Sequence, residues 1–338
     1  MNYEAKDFRS GTIRKYLEEK TRNSDQDFSQ LDVFLSSLLS LYEGSSKEGI
    51  PLSKVLQRDW NLFKSKESCG KVIDSFLHSN LAAFAKSGIE NSSSEVKYKK
   101  SITDCVAVWD ALKEDIKNRH RFTTNLGKLK EAGWESLLDN RWCLDTSQSF
   151  YRARIHYKKT DCFSTDDMGA RERGDCPAGR ANPEEIPYLY LSEEPKTTFY
   201  ETRVNMHDVV SVGEFKIAGK DSLYVENLTD IDLNEIEDLL NEDVVTLAKR
   251  KLLIRALSRD MSNPMRRFDS PVEYVPTQFI CEYVQLTQNV SGIRFSSSVY
   301  KKGTNLVVFD PSLMKCVHVE DYNIKSLDIK ETSTSRIS

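Results

Sequence analysis

Paired cysteines, metal-spaced histidines and nucleotide fingerprints are all missing from this chain, and each absence removes a class of function. The seven cysteines, at 69, 105, 143, 162, 176, 281 and 316, are odd in number, scattered and never arranged as CxxC. A disulfide framework is therefore not the expected basis of the fold. The five histidines (His78, His120, His156, His207, His318) lack the i, i+3 or i, i+4 spacing that sets two imidazoles on one metal. Cys162 and Cys176 follow His156 and make a zinc site with it only on paper, so reduced cysteines and no metal are expected. No GxGxxG follows a strand, which argues against a hydride-transferring dehydrogenase. A GxxxxGK[ST] phosphate loop, a GxSxG elbow and the kinase motifs are also absent. No apolar run reaches membrane-spanning length, and the opening MNYEAKDFRSGTIRKY lacks the apolar core of a signal peptide. The expectation is a cytoplasmic protein that does not engage a membrane. A formal charge of −4 and a pI near 5.9 offer nothing to capture a nucleic-acid backbone, so none is expected as a partner.

What is present is enough apolar material to fold: 338 residues, 39% hydrophobic, 30% charged and 10% aromatic, which suits two compact domains. The first part reads as helical. Ser24 with Asp27 looks like a helix start, after which Phe28, Leu31, Phe34, Leu35, Leu38 and Leu41 recur at three-to-four spacing up to Gly44. Val55, Leu56, Trp60 and Phe63 form a second stripe; Ile73, Phe76, Leu77, Leu81 and Phe84 form a third before Gly88. The serine-rich GIENSSSEVKYKKS that follows reads as a loop. Helical periodicity returns through Val106, Trp109, Leu112 and Ile116, and again from Leu126 to Leu138. Arg119 and His120 invite a ribonuclease reading, but adjacent helical residues point about 100° apart and do not converge on one phosphate. The expected helical domain spans residues 1–145, without chemistry of its own.

From Ser149 the texture changes to short β-branched or alternating runs: SFYRARIHY, YLYLSE, DVVSVGEFKIA, SLYVENL, GIRFSSS, TNLVVFD and CVHVEDY. Helices are expected between them at Pro195 to Arg203, from Asn234 to Ser262, and after Pro276, where proline suits a first turn. This second domain, residues 149–325, is mixed α and β, and residues 326–338 read as a flexible tail.

Four segments of that domain carry polar residues suited to a nucleotide: FYRAR, GRAN, YLYLSEEPKTTFYE and GIRFSSS. Each alone has a bland reading: surface arginines, a core tyrosine, a solvated glutamate, a turn-capping serine. In this order, and followed by EYVPTQFICEYV and GTNLVVF, they resemble the RES family, named for its arginine, glutamate and serine. The likeness covers about half the chain. It implies an α+β fold with an ADP-ribosyltransferase-like mixed or antiparallel β core, here preceded by an all-α N-terminal domain. It implies Arg152, Tyr190, Glu201 and Ser297 as catalytic-site residues, with Arg154, Arg180, Asn182 and Ser296 binding substrate. Departures from the family pattern are Ala181 where tryptophan is frequent, Thr198 where alanine is common, and Ser296 for proline. The last leaves open which of Ser296, Ser297 and Ser298 faces the site.

The activity implied is cleavage of the nicotinamide–ribose bond of NAD+, by hydrolysis or with inorganic phosphate as co-substrate, and with no cofactor. The residue types fit: a carboxylate stabilises an oxocarbenium-like ribosyl cation, arginine forks hold a pyrophosphate, and a tyrosine offers a ring and a hydroxyl to nicotinamide. The family picture further implies a toxin of a toxin–antitoxin pair or an anti-phage effector that depletes NAD+. Its partner would be an antitoxin or regulatory protein, and homo-oligomerisation stays open. Two other readings stand beside it: an ADP-ribosyltransferase acting on a macromolecule, and a non-catalytic nucleotide-binding module. Against the former, Phe199 occupies the position where such transferases often carry a second glutamate.

Overall fold

The computed structural model describes residues 3–23, 27–47, 49–158, 163–233, 236, 239–263 and 271–326. Two compact units emerge: Met1–Asp110 with Gly127–Leu137 and Asp230–Leu253, and Ala111–Leu126 with Leu138–Thr229 and Ile254–Ser338. The expected boundary at residue 145 thus differs from the observed division. Residues 230–253 belong to the helical unit, and a short strand before residue 145 belongs to the sheet of the other.

The helical unit contains α1 (Gly11–Arg22), α2 (Ser29–Ser40), α3 (Leu52–Asp59) and α4 (Lys66–Phe84). Its stripes become core: Leu31, Leu35, Leu38, Ile73 and Leu77 are all fully buried. Each such side chain contributes roughly 1.5–3 kcal/mol by leaving water. Ser24 lies outside the described residues, but Asp27 accepts from the Ser29 amide at 2.9 Å and so serves the start of α2. The second stripe is only partly helical: α3 ends at Asp59, and Phe63 instead forms a β-bridge with Phe8. The segment read as a loop holds a strand. Among the N-terminal helices, β1 (Tyr42–Gly44), β2 (Ile50–Pro51) and β3 (Glu95–Tyr98) make a three-stranded antiparallel sheet with β3 central. Strands this short show no alternation that periodicity can register. The helix α5 (Lys100–Asn118) matches its stripe, whereas the stretch from Leu126 to Leu138 splits into α6 (Gly127–Glu131) and α7 (Trp134–Leu137). Gly133 between them sits at φ 74°, a left-handed turn that ends a helix.

The second unit is built on an eight-stranded sheet. Its strands are β4 (Arg141–Leu144), β5 (Phe150–Ile155), β6 (Leu189–Ser192), β7 (Val209–Ile217), β8 (Leu223–Asn227), β9 (Gly292–Ser296), β10 (Thr304–Val308) and β11 (Met314–Asn323). Their order across the sheet is β11-β7-β5-β6-β10-β9-β8-β4, antiparallel throughout except for the parallel pair β8–β9. All seven predicted β runs are strands; β4, with only Leu144 buried, carried no alternating signal. Against the sheet lie α8 (Pro195–Glu201) and α10 (Val275–Gln288); α9 (Val244–Met261) runs between them in sequence. Asn234, the expected start of the long helix, lies outside the described residues, and α9 begins ten residues later. One face of the sheet packs Phe150, Met168, Leu189, Leu191, Phe215, Leu306 and Val308 into a common core.

Between β9 and β10 a glycine is required by contact. A Cβ on Gly292 would stand 2.1 Å from the Val307 carbonyl oxygen, whereas a Cβ on Gly11 at the start of α1 would meet nothing within 4 Å. Gly292→Ala is expected to lower the urea unfolding midpoint by the equivalent of about 1–3 kcal/mol, as overpacking does. Gly11→Ala is expected to leave it unchanged or raise it. Equal midpoints for the two variants would show that β9 tolerates the extra atom.

Candidate active site

The strands β5 and β6 pair only at Tyr151↔Ser192, whereas β5 and β7 share six pairs. Beyond that single point β5 and β6 are not bonded to each other, and residues from both line a cavity of about 360 Å³. This lies within the roughly 300–1,000 Å³ range of small-molecule sites. Its walls include Arg152 from β5, Arg180, Tyr190 and Ser192 from β6, Thr198 and Glu201 from α8, and Asn305 from β10.

Glu201 is the last residue of a seven-residue helix that starts with Pro195 at its first position. Thr198 and Thr202 turn their hydroxyls back onto the carbonyls of Pro195 (2.7 Å) and Thr198 (2.8 Å), and the helix ends before Arg203, which adopts a left-handed φ of 53°. A carboxylate at a helix C-terminus faces the negative end of the dipole, so it needs donors from elsewhere. They come from the turn after β9 and from β10: Ser297 Oγ donates to Glu201 Oε1 at 2.7 Å and Asn305 Nδ2 donates to the same oxygen at 2.6 Å. Asn305 is itself held by Ser192, whose hydroxyl donates to its Oδ1 at 2.8 Å. Both anchors fall on one oxygen. Among the described residues Oε2 has no hydrogen-bond partner, and Glu201 is solvent-accessible.

Ser297 is buried, and its Oγ also accepts from the amides of Val299 (3.3 Å) and Tyr300 (3.1 Å). It therefore caps its own turn while donating to the glutamate: the bland and the functional readings hold together. Of the three serines left open by the sequence, Ser297 contacts Glu201 and Ser298 lines the cavity. Ser296, expected to bind substrate, is not among the lining residues; its backbone carbonyl accepts from Ser262 at 2.6 Å.

The GRAN segment is organised by Tyr190. Its hydroxyl donates to Asn182 Oδ1 at 2.6 Å and accepts from the Ala181 amide at 3.0 Å. Burial pushes the phenol well above its ordinary pKa. The tyrosine consequently offers its ring to the cavity, and its hydroxyl is already committed, contrary to the expected contact with a ligand amide. Asn182 is buried and spends its amide nitrogen on the carbonyls of Pro177 (3.1 Å) and Pro183 (2.9 Å). It shapes the loop and does not line the cavity, a correction to its expected substrate-binding place. Only glycine fits at 179, where a Cβ would fall 2.5 Å from Asn182 Oδ1 and 2.6 Å from the Tyr190 hydroxyl. From α10, Thr277 Oγ1 donates to the Arg180 carbonyl at 2.7 Å, and Gln278 Nε2 to the carbonyls of Gly179 (2.8 Å) and Asn182 (2.9 Å).

Three arginines were expected here, and the structure treats them differently. Arg152 lines the cavity and donates to the Gly169 carbonyl at 2.8 Å. Burial, with Arg154 and Arg171 nearby, brings its pKa down to about 10, as expected for a cation short of anionic partners. Arg180 also lines the cavity while bonding the last carbonyls of α9, Met261 at 2.6 Å and Asp260 at 3.3 Å. Its pKa is likewise lowered, chiefly by burial. Arg154 shares the Gly169 carbonyl at 3.0 Å but is not a lining residue, and among the described residues its buried Nε has no hydrogen-bond partner. Sequence reasoning missed Asn305 and Ser192. Asn305 stood within the GTNLVVF run but carried no signal of its own, because its role depends on the pairing Asn305↔Ser192 across β10 and β6.

Among the described residues no three of His, Cys, Asp or Glu gather as a metal site, and no helix is long and apolar enough to cross a membrane. Cys162 lies outside the described residues.

A family model described as RES domain matches residues 149–327. None of the curated proteins compared with the chain matches it. Among solved structures, a chain of the crystal structure of the M. tuberculosis MbcT–MbcA toxin–antitoxin complex is similar, at 13% identity and a TM-score of 0.32. That alignment covers 56% of this chain and 92% of that one.

Tyr190→Phe removes the hydroxyl that joins Asn182 to Ala181 and leaves both groups buried without it. Its expected cost is about 1–3 kcal/mol in urea unfolding; an unchanged midpoint would mean that the loop stands without Tyr190.

Proposed function

This chain belongs to the RES-domain family, and on that premise we propose that its RES-like region, residues 149–325, cleaves the nicotinamide–ribose bond of NAD+. The observation that carries the reading is Glu201: one carboxylate oxygen is anchored by Ser297 and Asn305, and the other is unbonded beside a cavity lined by Arg152, Arg180 and Tyr190. In the proposed reaction the glycosidic C–N bond breaks with its electron pair going to nicotinamide, which leaves neutral and needs no general acid. The positive charge remains on the ribosyl ring, where Glu201 stabilises it. Arg152 and Arg180 pair with the pyrophosphate; a pairing anion also offsets the cost of their burial. The Tyr190 ring packs against the flat nicotinamide. Water then yields ADP-ribose and a proton, or phosphate yields ADP-ribose 1″-phosphate.

Transfer of ADP-ribose to a macromolecule is disfavoured by Phe199. Where a second glutamate would stand, this ring packs edge-on against Tyr322 at 5.5 Å within an apolar cluster. In the proposed cellular role the protein is a toxin of a toxin–antitoxin pair or an anti-phage effector, acting in the cytoplasm, with residues 1–145 restraining, sensing or oligomerising.

The test is NAD+ consumption by the purified full chain, with and without phosphate, products being separated by mass. Nicotinamide together with ADP-ribose or its 1″-phosphate is expected. Glu201→Gln should reduce turnover by roughly 100-fold or more, the scale of removing one preorganised charge-stabilising group. Intact NAD+ with wild-type protein, or undiminished turnover by Glu201→Gln, would remove this reading.

A further inference from the structure

Resting on the NAD+-cleaving reading, we infer that Asn305, held by Ser192, is the positioning residue that sets the Glu201 carboxylate for the reaction. Asn305 lies on β10 with its Cα opposite Ser192 of β6 on one side and Phe295 of β9 on the other, so its backbone is fixed by strands on both edges. Ser192 and Asn305 are both buried. The Ser192 hydroxyl donates to Oδ1 at 2.8 Å, which commits that oxygen and turns Nδ2 toward Glu201 Oε1 at 2.6 Å. Reversed, the amide would set an acceptor against a carboxylate. The carboxylate, an acceptor only, selects the nitrogen end of the amide, and Ser192 holds the amide in that setting by donating to the oxygen end.

Glu201 needs this more than a glutamate in mid-helix would. It closes a seven-residue helix, beside the negative end of the dipole, and its side chain has rotamer freedom to lose. Ser297 alone would leave the carboxylate free to swing about one hydrogen bond. Two donors from different places, a strand and the turn after β9, fix Oε1 and with it the direction of Oε2. Arg180 lines the same cavity, and Glu201 is one of the charges acting on it. No other residue links the β6–β10 pair to the carboxylate among the described hydrogen bonds.

Asn305→Asp keeps the shape and replaces the donor by a second carboxylate at hydrogen-bond distance, so the two must share a proton. In the NAD+ assay its kcat is expected to fall ~100-fold at neutral pH while KM stays within ~3-fold. The acid limb of its kcat–pH profile should rise by about one unit or more, which a merely structural residue would not cause. Ser192→Ala, which removes the hydroxyl that holds the amide, should lose ~5-fold to 10-fold in kcat. Ser192→Ala combined with Asn305→Ala should be no worse than Asn305→Ala alone, since Ser192 acts through Asn305. If Asn305→Asp does not fold, the Ser192→Ala variant and the double-mutant comparison decide. A wild-type-like kcat and pH profile for folded Asn305→Asp, or additive losses in the double mutant, overturns the inference. A wild-type enzyme that leaves NAD+ intact overturns instead the reading on which it rests.

Discussion

One carboxylate oxygen accepting from two side chains is the contact around which the site is arranged. Glu201 closes a short helix, where the dipole opposes its charge, and donors brought from the turn after β9 and from β10 offset that position. The sheet supplies them because β6, β10 and β9 are consecutive in it, so Ser192, Asn305 and the turn carrying Ser297 arrive side by side although distant in sequence. The unpaired stretch between β5 and β6 then provides the space that the carboxylate faces.

The arginines that line the cavity are held differently. Arg152 and Arg180 are largely buried with carbonyls as partners, and burial lowers the pKa of both. Such cations favour an anion, which would replace the water they have lost. The GRAN loop that carries Arg180 is rigid for reasons that have nothing to do with a ligand. It is tied to Tyr190 from one side and to Thr277 and Gln278 from the other, with a glycine where a Cβ would meet Asn182 Oδ1 and the Tyr190 hydroxyl. Rigidity in the loop is what allows a single guanidinium to be held at a cavity wall.

Several residues that look functional in sequence are thereby spent on architecture. Asn182, Arg154 and the hydroxyl of Tyr190 bond within the protein, and Ser296 is used through its backbone. Motif membership marks them because the motif needs its own scaffold, and a scaffold residue beside a site is as constrained in type as a residue that touches a ligand.

The seven β runs of the second unit, the helices at Pro195 and Pro276, and the association of Arg152, Arg180, Tyr190, Glu201 and Ser297 were legible in the sequence alone. Local rules suffice for such features: alternation makes strands, proline opens helices, and motif order carries the family likeness. Only the tertiary structure decided that Asn305 and Ser192 hold Glu201, that Ser298 and not Ser296 lines the cavity, and that Tyr190 gives its hydroxyl to the loop. It also decided that residues 230–253 belong with the N-terminal helices and that a small sheet lies among them. The physical reason is common to all of these. They depend on which strands become neighbours, and strand neighbours are chosen by burial across the whole sheet, at separations of about a hundred residues, where local patterning carries no information.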